Sequence, residues 1–169
     1  TVCAAVAIDP TLDLVAAVDP FADGEGIHGV TVSRDLQALA DAQCQVVVDF
    51  TVADAARATL PWLAERGIHA VVGTTGFSAD DLDTFRADFT SSNCLIAANF
   101  AISAVLMMHF AEIAAPFFET AEIIEFHHDA KVDAPSGTAV TTAQRMAAVS
   151  DQWAPDPTRD VKFDGARGG

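Results

Sequence analysis

Residues 122–139 read Glu-Ile-Ile-Glu-Phe-His-His-Asp-Ala-Lys-Val-Asp-Ala-Pro-Ser-Gly-Thr-Ala. They bring an acid/base group, cations and an anion cradle into one short segment. His127 and His128 are adjacent, and a histidine can give up a proton near neutral pH. Lys131 follows, in a chain whose only other lysine is Lys162. Pro135-Ser136-Gly137-Thr138 then opens an expected helix, whose first amides lack intrahelical partners and suit a carboxylate or phosphate. Plainer readings stand beside these. The histidines form a structural pair capped by Asp129, Ser136 is an ordinary N-cap, and Asp133 is a local acceptor for Lys131. Metal ligation needs further ligands at suitable spacing, and no thiolate lies near in sequence, so no metal is expected.

The elements that must carry these groups are legible as alternation. Apolar strand-like runs at 12–18, 45–50, 68–73 and 94–98 are separated by helical patterns at 34–40, 53–66 and 79–89. Continuous apolar strands between helices predict a parallel sheet covered on both faces, hence a doubly wound α/β domain. Residues 1–8 read as the end of a helix, with no strand before it. Ser78 ahead of Asp80 and Asp81 is an N-cap pattern, Arg66-Gly67 closes the preceding helix, and Pro61 is placed to kink it. A long apolar helix is predicted from Ala101 to about Phe117, a strand at 121–128 and a helix at 138–149. The chain turns loop-like from Ser150.

In such folds ligands sit beyond the carboxyl ends of the strands. Asp19 ends the first run, where an acid can hold ribose hydroxyls. Asp19-Pro20 is equally an ordinary turn. Asp49-Phe50-Thr51 ends the second, and this segment is equally readable as an N-cap for the helix after it. Gly73-Thr74-Thr75-Gly76 ends the third, with glycines that admit a ligand and hydroxyls that can bond to it, or simply a flexible turn. Ala97-Ala98-Asn99-Phe100 ends the fourth, suited to a flat ring or to a loop between domains. The glycine-rich phosphate loop expected between the first strand and first helix is absent.

Composition bounds the partners. An apolar fraction of 51% over 169 residues supports a sizeable core. A formal charge of −15 argues against a nucleic-acid partner. No apolar run is long enough for a bilayer, and the start has no basic flank of a signal peptide. Cys3, Cys44 and Cys94 are isolated, as in a cytoplasmic protein with reduced thiols. Cys44 and Cys94 begin apolar runs and read as small buried hydrophobes.

Taken together, these residues resemble the dihydrodipicolinate reductase family. Its signature, Glu-x-x-Glu-x-His-x-x-x-Lys-x-Asp/His-x-Pro/Ala-Ser-Gly-Thr, is matched by residues 122–138 at every fixed position, and Ala139 follows as the pattern allows. Residues 48–51, 67–77 and 97–101 resemble the family in the same order, so the likeness spans nearly the whole chain. It implies a Rossmann-type dinucleotide domain over 1–100, without its first strand, and part of an α+β substrate-binding and tetramerisation domain over 101–169. It implies hydride transfer from NADH or NADPH to a cyclic dicarboxylate, 4-hydroxy-tetrahydrodipicolinate, by a cytoplasmic homotetramer. His127 then matches the proton donor and Lys131 the second catalytic residue. His128, Gly137 and Thr138 match carboxylate contacts. Asp19, Gly73, Thr74, Thr75, Ala97, Ala98, Asn99 and Phe100 match cofactor contacts.

The chain departs from the pattern in places. Ser103 replaces a usual glycine. Asp19 is followed by Pro20, not by an arginine that would pair a 2′-phosphate, which favours NADH. The chain reads as a piece cut at both ends, so a binding remnant without turnover is the alternative. A semialdehyde-type dehydrogenase would need a catalytic cysteine, and Cys94 sits at the wrong end of its strand.

Overall fold

The computed structural model describes residues 2–131, 134–160 and 162, in two compact units, Thr1–Ala97 and Ala98–Gly169. The first unit opens with helix α1 (Val2–Ile8) and continues through β1 (Ala17–Val18), β2 (Gly26–Ile27), β3 (Val30–Ser33) and α2 (Gln37–Asp41). It is completed by β4 (Val46–Asp49), α3 (Ala53–Glu65), β5 (His69–Val72), α4 (Ala79–Asp88) and β6 (Cys94–Ile96).

Strands β4, β5 and β6 form a parallel sheet in that order, with Val46 opposite His69 and Ala70 opposite Cys94. Each crossover contains a helix, as the alternation predicts for a Rossmann-like domain. A second three-stranded group is ordered β1-β3-β2, with β1 parallel and β2 antiparallel to β3. This part differs from expectation. The run at 12–18 is a strand only at Ala17–Val18, and the Val30–Ser33 strand falls where none is predicted. Val-Thr-Val-Ser is a short alternating run behind a glycine-rich turn, a weak signal by period alone.

The core of this unit is Leu39, Ala56, Leu60, Leu63, Ile68, Ala70, Val72 and Phe85. Leu60 and Leu63 are fully buried, and α3 runs through Pro61 between them. Proline leaves the carbonyl one turn earlier without its helical donor, a cost offset here by burial of the flanking leucines. Gly67 takes φ 65° and ends α3 as its position after Arg66 predicts. Ser78 caps α4 in a reciprocal box: its Oγ accepts from Asp81 N (3.1 Å), and its own N–H donates to Asp81 Oδ2 (2.7 Å). Cys44 and Cys94 are partly buried against the core, and burial pushes both thiols up. The Asp49-Phe50-Thr51 segment does not supply the cap of α3. Val52 is the N-cap, while Asp49 Oδ1 accepts from Thr51 N–H (2.8 Å) and Oγ1 (2.7 Å).

The second unit holds α5 (Ile102–Ala114), which tightens into a 3-10 turn (Ala115–Phe117), and α6 (Gly137–Val149). The two helices are joined by Arg145, whose Nε donates to Glu112 Oε2 at 2.9 Å. Ser103 lies exposed in the first turn of α5. The strand expected at 121–128 is not formed. Among the described residues this unit contains no strand to exchange ladder bonds with it, so the apolar run stays irregular. Ile124 and Phe126 are exposed as a result. No helix among the described residues is long and apolar enough to cross a membrane.

Candidate functional site

In the first unit the strand ends carry the expected groups with different surroundings. Asp19 follows β1, and its Oδ1 accepts from Phe21 N–H at 2.8 Å, the geometry of the turn reading. That oxygen is therefore already engaged within the chain. Gly73 follows β5, and its N–H donates to Asp49 O at 2.8 Å. A Cβ built at Gly73 would lie 2.2 Å from the Phe50 ring, so a side chain there would have to displace that ring. Thr74 is buried, and its Oγ1 has no partner among the described residues. A buried hydroxyl left unpaired is costly unless something completes it, and an amide or ribose hydroxyl would. The residues here thus fit a dinucleotide. Thr75 is exposed beside it.

Arg57, which sequence reasoning overlooked, fixes the far end of this loop. Its guanidinium donates to Gly76 O (3.1 Å) and, through Nε and Nη2, to both oxygens of Asp81 (3.0 and 2.9 Å). The paired guanidinium, with Ser78, holds the Asp81 carboxyl far below its usual range. The loop is therefore held between an aromatic ring at one end and an ion pair at the other.

Ala97 closes the first unit, with its N–H donating to Val72 O at 3.0 Å. Ala98, Asn99 and Phe100 begin the second. Asn99 links two expected roles: its Oδ1 accepts from Ala101 N–H (2.9 Å), and its Nδ2 donates to Thr138 Oγ1 (3.1 Å). Two residues given separate roles by the sequence are thus in direct contact.

The signature segment is organised by Glu125. Its Oε1 accepts from Ser136 N–H at 2.9 Å, and its Oε2 accepts from the Ser136 hydroxyl. Ser136 in turn caps α6, its Oγ accepting from Ala139 N–H at 3.1 Å. The Ser136 and Ala139 amides are thus engaged inside the chain. The anion cradle expected from sequence narrows to the intervening Gly137 and Thr138. His127 Nδ1 lies 3.8 Å from Glu125 Oε2. The two Ser136 hydrogen bonds hold the Glu125 carboxyl below its ordinary range, with His127 and Lys131 adding to the effect. His128 is exposed, and its carbonyl accepts from Lys131 N–H at 3.2 Å in a turn. The carboxylate facing His127 is Glu125, not the Asp129 expected as a cap. Asp133 lies outside the described residues. No group of three potential metal ligands occurs among the described residues.

Sequence reasoning gave Glu125 no role of its own, although it is the second fixed glutamate of the signature. That fixed position was the available signal.

The family model described as dihydrodipicolinate reductase, N-terminus, matches residues 1–100, and the corresponding C-terminus model matches residues 103–169. The chain belongs to the dihydrodipicolinate reductase family. Among curated relatives, the 4-hydroxy-tetrahydrodipicolinate reductase of Corynebacterium urealyticum is 49% identical over 99% of this chain. That of Mycobacterium marinum is 46% identical over 92%, and that of Cutibacterium acnes 45% identical over 99%. This family member spans 65% of the length of each of those relatives. A solved dihydrodipicolinate reductase from Paenisporosarcina sp. TG-14, bound to dipicolinate, matches with a TM-score of 0.75 and 34% identity. The match covers 97% of this chain and 67% of that one.

Proposed function

We propose that this chain carries the cofactor and proton-transfer machinery of an NAD(P)H-dependent reductase converting 4-hydroxy-tetrahydrodipicolinate to tetrahydrodipicolinate in lysine and diaminopimelate biosynthesis. The Asn99–Thr138 hydrogen bond, within the second unit, carries the reading, because it joins a residue assigned to the cofactor to one at the start of α6 assigned to the substrate. A bound dihydronicotinamide would supply the hydride. Thr74, with its unpartnered buried hydroxyl, is assigned to the cofactor together with Gly73, Thr75, Ala97, Ala98, Asn99 and Phe100. Asp19 is assigned to the ribose, its second oxygen being the one turned to ligand. The absence of an arginine after Asp19 supports NADH over NADPH.

Loss of the 4-hydroxyl as water leaves a conjugated imine, and hydride addition to it leaves negative charge that must be protonated. His127 supplies the proton, and Lys131 assists by stabilising that charge. Gly137 and Thr138, at the helix start, hold a substrate carboxylate together with His128. The dipicolinate bound by the Paenisporosarcina relative is a dicarboxylate of the same kind. The complete enzyme is read as a cytoplasmic homotetramer. The exposed Leu106, Phe110 and Ile113 of α5 support association of some kind.

The test is loss of dihydronicotinamide absorbance on adding freshly generated substrate to the protein at its natural full length. Turnover with NADH exceeding that with NADPH is expected. Dinucleotide binding without any turnover would favour the remnant reading. Sedimentation of the same sample checks the tetramer.

A further inference from the structure

We propose that Glu125 is a positioning residue for His127: it fixes the proton of the imidazole on Nδ1, turns Nε2 toward the substrate, and registers that imidazole against the start of α6. This deepens the reading above and rests on it for its catalytic consequence only.

Two hydrogen bonds and one longer approach, of ion-pair range, converge on one carboxylate. Oε1 is committed to the Ser136 N–H, while Oε2 accepts from the Ser136 hydroxyl and faces His127 Nδ1 at 3.8 Å. The same serine caps α6, which begins with Gly137 and Thr138. The carboxylate therefore spans 11 residues of sequence, from the histidine segment to the helix start. Among the described residues, Lys131 also acts on it electrostatically. A carboxylate is acceptor-only when ionised. Beside it, a neutral imidazole gains by carrying its proton on Nδ1, against the usual preference of histidine for Nε2–H. An imidazole oriented through one nitrogen presents the other for chemistry.

The experiment is 15N NMR of the His127 imidazole at mildly alkaline pH, in the full-length protein, for wild type and Glu125→Gln. In wild type the Nδ1–H form should dominate. In Glu125→Gln the amide oxygen stays with the Ser136 N–H, which places the NH2 donor toward Nδ1. The proton should then move to Nε2. An unchanged tautomer in this variant, or a wild type already in the Nε2–H form, overturns the proposal. Should Glu125→Gln fail to fold, Ser136→Ala decides instead. It removes a competing donor from Oε2, so the Nδ1–H form must persist, and its loss refutes the assignment.

Kinetics give the second readout. Glu125→Gln should lower kcat by about 10- to 100-fold, in line with other residues that orient a reactive histidine, with the NADH dissociation constant unchanged. A kcat within about twofold of wild type sinks the catalytic part. A wild type with no turnover whose tautomer still responds to Glu125→Gln supports the positioning role and removes the proposed activity, so the two failures are distinct.

Discussion

The two units are held together by different means. The first buries Leu60, Leu63 and Val72 completely, in a cluster that takes side chains from α2, α3, α4 and β5. In the second, Met108, Ala115, Ser136 and Thr142 are the buried side chains among the described residues, while Ile102, Phe110 and Phe117 lie exposed. Its links are polar: Arg145 to Glu112, Asn99 to Thr138 and Glu125 to Ser136. Apolar burial is indifferent to pH and tolerant of direction, whereas a hydrogen-bonded carboxylate is neither. The residues proposed for proton transfer and carboxylate binding sit in the polar unit, where position is set by directional bonds.

That contrast can be broken most sharply at His127. In the full-length protein, His127→Ala should lower kcat by about 10²- to 10⁴-fold, the range for loss of a general acid, with the NADH affinity nearly unchanged. Equal losses in both, by steady-state rates and NADH titration, would mean that the two units do not divide the work this way. Next in size is Leu60→Ala in the apolar core. It should destabilise by about 2–5 kcal/mol in chemical denaturation. A smaller loss would show the core relaxing around the gap.

The smallest expected effect is electrostatic. Glu125 has a folded-state carboxyl below its ordinary value of about 4.5. Its contribution to stability is therefore present above that value and is lost as pH falls through the lower, folded one. Amide exchange in the first turns of α6 should rise over that acid range, while β5 amides in the apolar core stay protected. Parallel loss of protection in both would erase the distinction.

The alternation of β4 to β6 with α3 and α4 was legible because each apolar run repeats a simple period. The β1–β3 group was not, since two-residue strands leave almost no period to read. The segment at 121–128 misled for a different reason. Its apolar residues have the composition of a strand, but a strand is defined by its neighbours, and among the described residues none pairs with it. At the candidate site, residue types and spacing pointed to His127, Lys131 and the α6 start. The partners did not follow from spacing: Arg57 reaches Gly76 across 19 residues, and Glu125 reaches Ser136 across 11. Contacts that close long loops depend on how the elements pack, which local pattern does not encode.

Phe50 and Gly73 behave as one unit of variation. Because the ring occupies the space a side chain at 73 would need, a mutational scan that changes one position at a time will score Gly73 as more constrained than it is. A paired library, with a small residue at 50, should recover larger residues at 73. The apparent constraint at 73 is then inherited from its neighbour, and relaxing both together gives a route to reshaping the loop that single substitutions cannot take.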